Sequence, residues 1–374
     1  MMYFDNAATT PMFPELKDAL FKYSFEEFYN ASALYGGAKS AKDALQNART
    51  KVASRLNAQA SEIIFTSGAT EANNTALLGT PKPAQARVII TAAEHASVTF
   101  CAAELKRRGF DVLTAPVDAD GAVVVSALLS LCGKNTALVS VIHVSNETGA
   151  VNPINEISAR VKAINPKIIF HSDGVQAFCK LPPPAKTVDL YSVSAHKING
   201  PKGAGALKCA QGIHLNPLLF GGGQERGLRS GTENVAGIYA FGLAAELFQK
   251  AYSPDVFVGL KAALVTELGA LPSVKFYLPE AGVPNIISLS IEGIYSETLL
   301  HMLEVDEIYI GLGSACAANK AGNSALSATG RTAQEIKGSL RISLGLHNSL
   351  GEIAVLSKKI IEYTAKLRSR NVAK

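Results

Sequence analysis

The sequence predicts an α/β fold in which a large, doubly wound, mostly parallel sheet domain carries a smaller α+β domain. Through the middle of the chain, short β-branched runs alternate with segments of helical period, and such apolar strands are typical of a parallel sheet covered by helices on both faces. Beyond residue 251 the pattern changes to neighbouring strands between helices. We therefore place the large domain at residues 14–251 and the small domain at residues 1–13 together with 252–374.

Each element of the large domain is predicted from its residue period. Near-continuous apolar runs predict strands at residues 87–91, 110–115, 136–144, 167–172, 188–192 and 204–208. Amphipathic spacing predicts helices at residues 97–108, 123–131, 154–164 and 234–251. The alternation of strand and helix implies crossover connections, and these place neighbouring strands parallel.

The small domain begins at the break Tyr252-Ser253-Pro254. A helix follows, and strands are predicted at residues 274–277, 285–291 and 340–344, with helices at 297–305 and 350–367. Residues 311–330 are rich in Gly, Ala, Ser and Asn, which predicts a loop of small residues.

Composition and charge exclude several classes of protein. Hydrophobic residues make up 48% of the chain, enough to build a core and to exclude disorder. The net charge of +5 comes without a run of Lys and Arg, so we expect no nucleic-acid partner. The apolar run 122–132 has about half of the ~20 residues that a membrane-spanning helix needs, so we expect no membrane partner. Because no basic segment leads into an apolar run near Met1, we expect a cytoplasmic protein.

The cysteines and histidines predict neither a disulfide framework nor a metal site. Five cysteines are scattered without a Cys-x-x-Cys pair, which indicates a reducing compartment. Four of them lie in apolar periodic segments, whereas Cys316 lies in the loop of small residues. The seven histidines form no cluster with metal-ligand spacing, so no metal is expected.

Three segments carry the chemistry. Thr66 to Glu71 reads as a strand end followed by small residues and a helix start, which is how backbone amides are presented to a phosphate. Taken alone, a plain turn with Thr70 as N-cap is the more common explanation of this segment. Asp173 ends a predicted buried strand, and Lys197 follows the next one. A buried carboxylate needs a cationic partner. An Asp facing a pyridine nitrogen, together with a Schiff-base Lys, is typical of pyridoxal phosphate.

Eight segments in a fixed order carry a resemblance to a known family. They are residues 3–11 (YFDNAATTP), 65–74 (FTSGATEANN), 143–149 (HVSNETG), 171–176 (HSDGVQ), 194–203 (SAHKINGPKG), 221–234 (GGGQERGLRSGTEN), 313–316 (GSAC) and 340–345 (LRISLG). Through them the chain resembles the cysteine desulfurases of the NifS/IscS type, within the class V aminotransferase-like enzymes. The resemblance implies the pyridoxal-phosphate-dependent transferase fold, aspartate aminotransferase-like and of fold type I, and a homodimer.

The resemblance also implies which residues hold the cofactor. They are Ala69, Thr70, His95, Asn146, Asp173, Gln176, Ser194, His196, Lys197 and Thr232. Lys197 resembles the residue that links covalently to the cofactor, Asp173 the partner of the pyridine nitrogen and Gln176 the partner of the phenolic oxygen. His95 resembles the histidine that stacks on the ring and moves protons; taken alone it fits a core histidine at a strand end.

The remaining implied roles concern the phosphate and the substrate. Thr70, Ser194 and His196 resemble phosphate ligands, helped by the amides of Ala69 and Thr70. Thr232 resembles a phosphate ligand that comes from the neighbouring subunit. Asn146 and Arg341 resemble residues near the substrate carboxylate, where a guanidinium can bind with two hydrogen bonds. Taken alone, Arg341 fits a side chain at a domain edge.

The resemblance implies a desulfurase that converts L-cysteine to L-alanine. Cys316 resembles the nucleophile that receives the sulfur as a persulfide for an acceptor protein such as an iron–sulfur scaffold, although read alone it is a small residue in a Gly/Ala loop. The chain departs from the family at Tyr35, where a His is usual, at Ser145, where an Asn is usual, and after Cys316, where a Pro-Ser pair is missing.

Three alternatives stay open. A selenocysteine lyase or a small-amino-acid aminotransferase would use the same cofactor, but the aminotransferase needs no cysteine at position 316. A cofactor-bound scaffold that has lost turnover is disfavoured by the presence of Lys197, Asp173, His95 and Cys316.

Overall fold

Two sheets organise the chain. A computed structural model describes residues 1–313 and 325–372, and within them twelve strands occur. The strands are β1 (Met2–Phe4), β2 (Ile63–Thr66), β3 (Arg87–Thr91), β4 (Asp111–Ala115), β5 (Thr136–Ser140), β6 (Ile169–Asp173), β7 (Leu190–Ser194), β8 (Gly205–Cys209), β9 (Val274–Tyr277), β10 (Ile286–Ile291), β11 (Ile308–Leu312) and β12 (Ser339–Ser343).

The large sheet has seven strands in the order β2-β8-β7-β6-β5-β3-β4. Strand β8 is antiparallel to both of its neighbours, while the other pairs are parallel. Six strands therefore end at the same edge of the sheet, and β8 begins there. Runs such as Ile63-Ile64-Phe65 are buried along their length, as expected for a sheet covered on both faces.

The helices of the described residues cover the two sheets. They are α1 (Leu16–Phe21), α2 (Ala38–Ser54), α3 (Ala69–Gly79), α4 (Ala96–Arg107), α5 (Val125–Leu131), α6 (Ile154–Ile164), α7 (Val235–Ala251), α8 (Pro254–Leu268), α9 (Ser296–Val305), α10 (Ala325–Ala328), α11 (Ala333–Lys337) and α12 (Leu350–Val372). Among them, none is both long and apolar enough to cross a membrane.

Helices α2 and α7 pack tightly on one face of the large sheet. Ala48 of α2 and Phe241 of α7 are fully buried in one core cluster with Phe65 of β2. The helices come so close at Gly242 that a Cβ there would lie 2.6 Å from the Cα of Ala48. Glycine is therefore required at this crossing, even though it is a poor helix former.

The small sheet joins the first strand to the last part of the chain. Its order is β1-β11-β12-β10-β9, and only the pair β1–β11 is parallel. Its apolar face packs against α8, α9 and α12 around Phe4, Leu299 and Leu356. Strand β1 is held in the small sheet by its pairing with β11, and the residues that follow β1, from Asp5 onward, extend to the large sheet.

The predicted α/β class is confirmed, and most predicted strands lie within two residues of those observed. The strand predicted at residues 136–144 is wrong at its end, because β5 stops at Ser140 and the chain then leaves the sheet. The sequence analysis did not identify β1 or β11. Residues 311–330 were predicted to form a loop, but residues 311 and 312 end β11 and Ala325–Ala328 form α10, while residues 314–324 lie outside the described residues. The two sheets lie within the ranges assigned to the two domains, whose boundaries stay a prediction.

Candidate active site

One cavity of about 680 Å³ lies at the edge of the large sheet where its parallel strands end. Ten of the predicted site residues line it: Ala69, Thr70, His95, Asn146, Asp173, Gln176, Ser194, His196, Lys197 and Arg341. The topology explains this convergence. Loops that follow β2, β3, β5, β6 and β7 all leave the sheet at this edge, and α/β sheets bind ligands at the carboxyl ends of their strands.

The part of the cavity near the ends of β2 and β7 can bind an anion. Helix α3 begins at Ala69, directly after the turn that leaves β2, so its first amides have no partner within the helix. Ser194 ends β7, and His196 lies in the short 3-10 turn behind it. The backbones approach closely here, since a Cβ at Gly205 would lie 2.7 Å from the Cα of Gly68. Amides and hydroxyls thus converge as a phosphate group requires.

His196 is neutral at this end of the cavity. Burial, followed by the charges of Lys197 and Lys202, lowers its pKa to about 4. Its Nδ1 lies 3.1 Å from the Thr9 hydroxyl oxygen. A neutral imidazole held on one nitrogen presents the other to a ligand.

Asp173, at the end of β6, also lines the cavity and is a buried carboxylate. Its Oδ2 accepts a 2.7 Å hydrogen bond from the Asn73 amide, and its Oδ1 accepts one from the Val175 amide at 3.0 Å. Asn73 belongs to the segment after β2 that the sequence analysis quoted, but its role was missed. The donor set fits pyridoxal phosphate, because one cavity combines anion ligands with a fixed carboxylate that can meet a protonated pyridine nitrogen.

Gln176 is anchored beside Asp173 by the segment after β1. Its Nε2 donates to the Ala7 carbonyl oxygen at 2.9 Å, which leaves the second N–H of this amide for a ligand. His95 caps α4 through its Nδ1, which accepts from the Ser97 amide at 3.1 Å. The ring of His95 is exposed at the cavity wall.

Lys197 presents its amine to the same space. The Nζ donates to the carbonyl oxygens of Ala7 at 2.6 Å and Ala8 at 2.5 Å. Burial, with further repulsion from Arg341 and Lys180, lowers the pKa of Lys197 to about 7. A large part of this amine is therefore uncharged near neutral pH and can form a covalent bond or accept a proton.

Arg341 of β12 reaches the cavity from the small sheet. Its Nη2 donates to Asp5 Oδ1 at 2.7 Å, and its Nη1 donates to the Asn146 carbonyl oxygen at 3.0 Å. Its Nε is buried and has no hydrogen-bond partner among residues 1–313 and 325–372. The guanidinium is thus held in place with donor capacity left for a carboxylate.

Glu94 is a further buried carboxyl that the sequence analysis missed. Its Oε1 accepts from the Thr91 hydroxyl at 2.9 Å and from the Ile142 amide at 2.8 Å, which ties the end of β3 to the segment after β5. Burial, with a smaller contribution from the charge of Asp173, raises the pKa of Glu94 to about 8. Nothing in the sequence around Glu94 signals this burial.

The other predicted positions lie apart from this cavity. Thr232 is exposed and does not line the cavity among the residues that the structure describes. Cys316 falls outside the described residues. Tyr35 is 58% exposed. Ser145 is buried, and its Oγ accepts the amides of Glu147 at 3.3 Å and Thr148 at 3.2 Å, which shapes the turn that carries Asn146.

Known proteins are similar to this chain in sequence and in fold. The model of the aminotransferase class-V family matches residues 2–356. A cysteine desulfurase IscS of Methanosarcina thermophila is 37% identical over 98% of this chain and 93% of its own length. A solved NifS-like protein superposes with a TM-score of 0.91 at 34% identity over 97% of this chain and 99% of its own. A solved structure described as SspA in complex with cysteine has a TM-score of 0.81 at 30% identity, covering 93% of this chain and all (100%) of its own.

Proposed function

The chain belongs to the aminotransferase class-V family and is a cysteine desulfurase of the NifS/IscS type, and we propose that it moves the sulfur of L-cysteine onto Cys316 and leaves L-alanine. The observation that carries this proposal is one cavity lined by a lysine amine that is about half uncharged at pH 7, an anion-binding turn and a fixed carboxylate. The relative solved with cysteine supports the substrate.

Pyridoxal phosphate is the cofactor that this donor set fits, and when bound it supplies an electron sink for the Cα of an amino acid. In the proposal, Ala69, Thr70, Ser194 and His196 bind its phosphate. Asp173 keeps its pyridine nitrogen protonated.

The proposed roles of the other residues around the ring follow from their positions. Gln176 binds the phenolic oxygen with its free N–H. His95 covers one face of the ring from the exposed side of the cavity.

Lys197 has two proposed tasks that suit an amine with a pKa of about 7. It forms the covalent link to the cofactor, and once displaced by substrate it takes the Cα proton. Asn146 and Arg341 bind the substrate carboxylate, and this orients the Cα–H bond toward the lysine. The Asp5 contact keeps the Arg341 guanidinium in that orientation.

The sulfur-transfer step is proposed to use the thiolate of Cys316, which is a competent nucleophile toward sulfur. It attacks the substrate sulfur, so that an S–S bond forms while the Cβ–S bond breaks. The carbon keeps the electron pair of the broken bond and takes a proton, which yields alanine. The sulfur remains on Cys316 as a persulfide for an acceptor protein such as an iron–sulfur scaffold.

We further propose that the protein is a homodimer in the cytoplasm. Thr232 is exposed, which suits the role in the neighbouring subunit that the resemblance implies. The four described cysteines are free thiols, which suits a reducing compartment.

Replacement of Cys316 by Ser tests the proposed function. The serine variant should retain cofactor and its spectral change with L-cysteine, but alanine and sulfane sulfur should fall to background. Cys209→Ser, at a buried core thiol, is the matched control and should still form the persulfide.

Three results would contradict the proposed desulfurase function. Alanine formation at the parent rate by Cys316→Ser would favour a lyase or aminotransferase. Preferential turnover of selenocysteine would favour a selenocysteine lyase. A yellow parent protein that forms no alanine from cysteine would be a scaffold.

A further inference from the structure

Residues 221–234 form an arm beside the phosphate end of the cavity, and its backbone holds two strained residues in succession. Glu225 has a φ of 46° and Arg226 a φ of 61°, although neither is glycine. The left-handed region is unfavourable for both side chains, and such strain persists only where surrounding contacts over-determine the conformation. The contacts of these two residues therefore identify what holds the arm.

The carboxylate of Glu225 forms a two-pronged ion pair with Arg49 of α2. Oε1 lies 2.6 Å from Nη2 and Oε2 lies 2.7 Å from Nη1, and the Glu225 side chain is only 3% exposed. The Arg49 guanidinium also stacks over the Phe65 ring, 4.7 Å from its centroid. Paired in this way, the two buried charges form a rigid unit.

This ion pair is attached to the free edge of the large sheet. Strand β2 is the last strand on its side among the described residues, so one edge of it has no neighbouring strand. Glu225 Oε2 accepts the Phe65 amide at 2.9 Å. The Ile63 carbonyl oxygen accepts from Arg49 at 2.7 Å and from Arg226 at 3.0 Å. Side chains thus take the hydrogen bonds that another strand would make.

A second tie joins the arm to the phosphate turn itself. Arg229 Nε donates to Glu71 Oε1 at 2.9 Å, and Glu71 Oε2 accepts the Ser67 amide at 2.8 Å. Ser67 and Glu71 both line the cavity. Thr232, in contrast, is exposed, and no hydrogen bond among residues 1–313 and 325–372 involves it. The arm is therefore tied to β2 and to the phosphate turn, whereas its Thr232 is exposed.

We propose that Glu225 and Arg49 are positioning residues that pin the arm to β2 and hold Thr232 ready for the phosphate site of the partner subunit. The inference rests on the proposed homodimer and on the proposed role of Thr232 in it. An arm that is already ordered loses less conformational freedom when it docks, so the pinned arm strengthens cofactor binding in the other subunit.

Cofactor affinity is the quantity to measure, by absorbance titration of stripped and reconstituted dimer. Glu225→Gln keeps the shape of the side chain but loses the charge that pairs with Arg49. We expect it to bind cofactor about tenfold more weakly, the size of one lost hydrogen bond to a charged group. Glu246→Gln is the control. Glu246 of α7 forms an ion pair with Lys51, which lies on α2 as Arg49 does, so this variant also removes a charge that pairs with α2. It should leave the cofactor affinity unchanged.

Mixing subunits separates an action across the interface from a local structural defect. Lys197→Ala subunits have a native arm but no lysine for the covalent link. After subunit exchange with Glu225→Gln, the mixed dimer has one site with a native lysine and a native arm from the other subunit. That site should regain the parent affinity. Failure to regain it, with exchange demonstrated, would overturn the inference, as would an unchanged affinity of Glu225→Gln alone.

Two further variants keep the outcome decisive. If Glu225→Gln does not fold, Arg226→Ala removes the hydrogen bond from Arg226 to the Ile63 carbonyl oxygen and leaves the Glu225–Arg49 ion pair intact. It should weaken the affinity several-fold, and an unchanged affinity there would contradict the inference. Thr232→Ala tests the premise: a dimer with full affinity in this variant, or a monomeric parent protein, would refute the proposed role of Thr232 or the homodimer instead.

Discussion

About half of the Lys197 amine should be uncharged at pH 7 in the cofactor-free protein. Its pKa of about 7 results first from burial and then from the positive charges of Arg341 and Lys180. An ordinary lysine with a pKa of about 10.4 is uncharged to only ~0.04% at pH 7. The neutral fraction at Lys197 is therefore on the order of 10³ larger than on the protein surface, a difference that a chemical reagent can detect.

Acetylation at limiting reagent, followed by mass spectrometry of peptides, measures this fraction across pH 5.5 to 10. Reaction at Lys197 should reach half of its maximum near pH 7, with surface lysines such as Lys167 as internal standards. Arg341→Gln removes the second-largest cause of the lowered pKa, so the midpoint should move to higher pH. Arg160→Gln changes the same charge on α6 without lining the cavity and should leave the midpoint in place.

Two results would refute the reasoning. A midpoint near pH 10 in the parent protein would mean that burial does not dominate the electrostatics of the amine. An unchanged midpoint in Arg341→Gln would mean that the like charge contributes nothing at this position.

Three other perturbations test different parts of the molecule. Asp173→Asn should retain cofactor but lose about 10²-fold or more in alanine formation, because a neutral amide cannot keep the pyridine nitrogen protonated; near-parental turnover would mean that Asp173 is not its partner. Glu94 keeps its proton in the folded protein up to about pH 8, so its contribution to stability is complete below the unfolded value of 4.5 and declines as the pH rises to 8. The melting temperature of Glu94→Gln should therefore rise relative to that of the parent protein as the pH increases from 4.5 to 8. A difference in melting temperature that stays constant over this range would contradict the raised pKa. Gly242→Ala should destabilise by about 1–3 kcal/mol through its clash with Ala48, despite the better helix propensity of alanine. The control is Gly259→Ala in α8, where a Cβ has nothing within 4 Å, and this change should stabilise the protein by about 0.5–1 kcal/mol. Equal effects of the two substitutions on the free energy of unfolding in denaturant would contradict the clash at Ala48.

The sequence predicts most of this fold because its strands are short buried runs between amphipathic helices. Once the strands are parallel, their ends share one edge, and residues as distant as Asp173 and His95 must converge. Pairings across the chain have no such local signal. Asp5 and Arg341 are 336 positions apart and meet only because β1 joins the small sheet. Glu94 was missed because a carboxyl beside a histidine gives no sign of its burial.

Because strand β1 pairs with a strand near residue 308, the cavity is completed late in the synthesis of residues 1–343. The residues that follow it supply the Ala7 and Ala8 carbonyls to Lys197, and the Ala7 amide donates to the Ser343 hydroxyl at 2.8 Å. Strand β1 itself pairs with β11, which leaves the ribosome some 300 residues later. During translation the seven-stranded sheet can therefore form before its ligand cavity has one of its walls. A nascent chain that stops before residue 343 lacks the tether to Ser343, so this wall of the cavity is complete only after residue 343 has been synthesised.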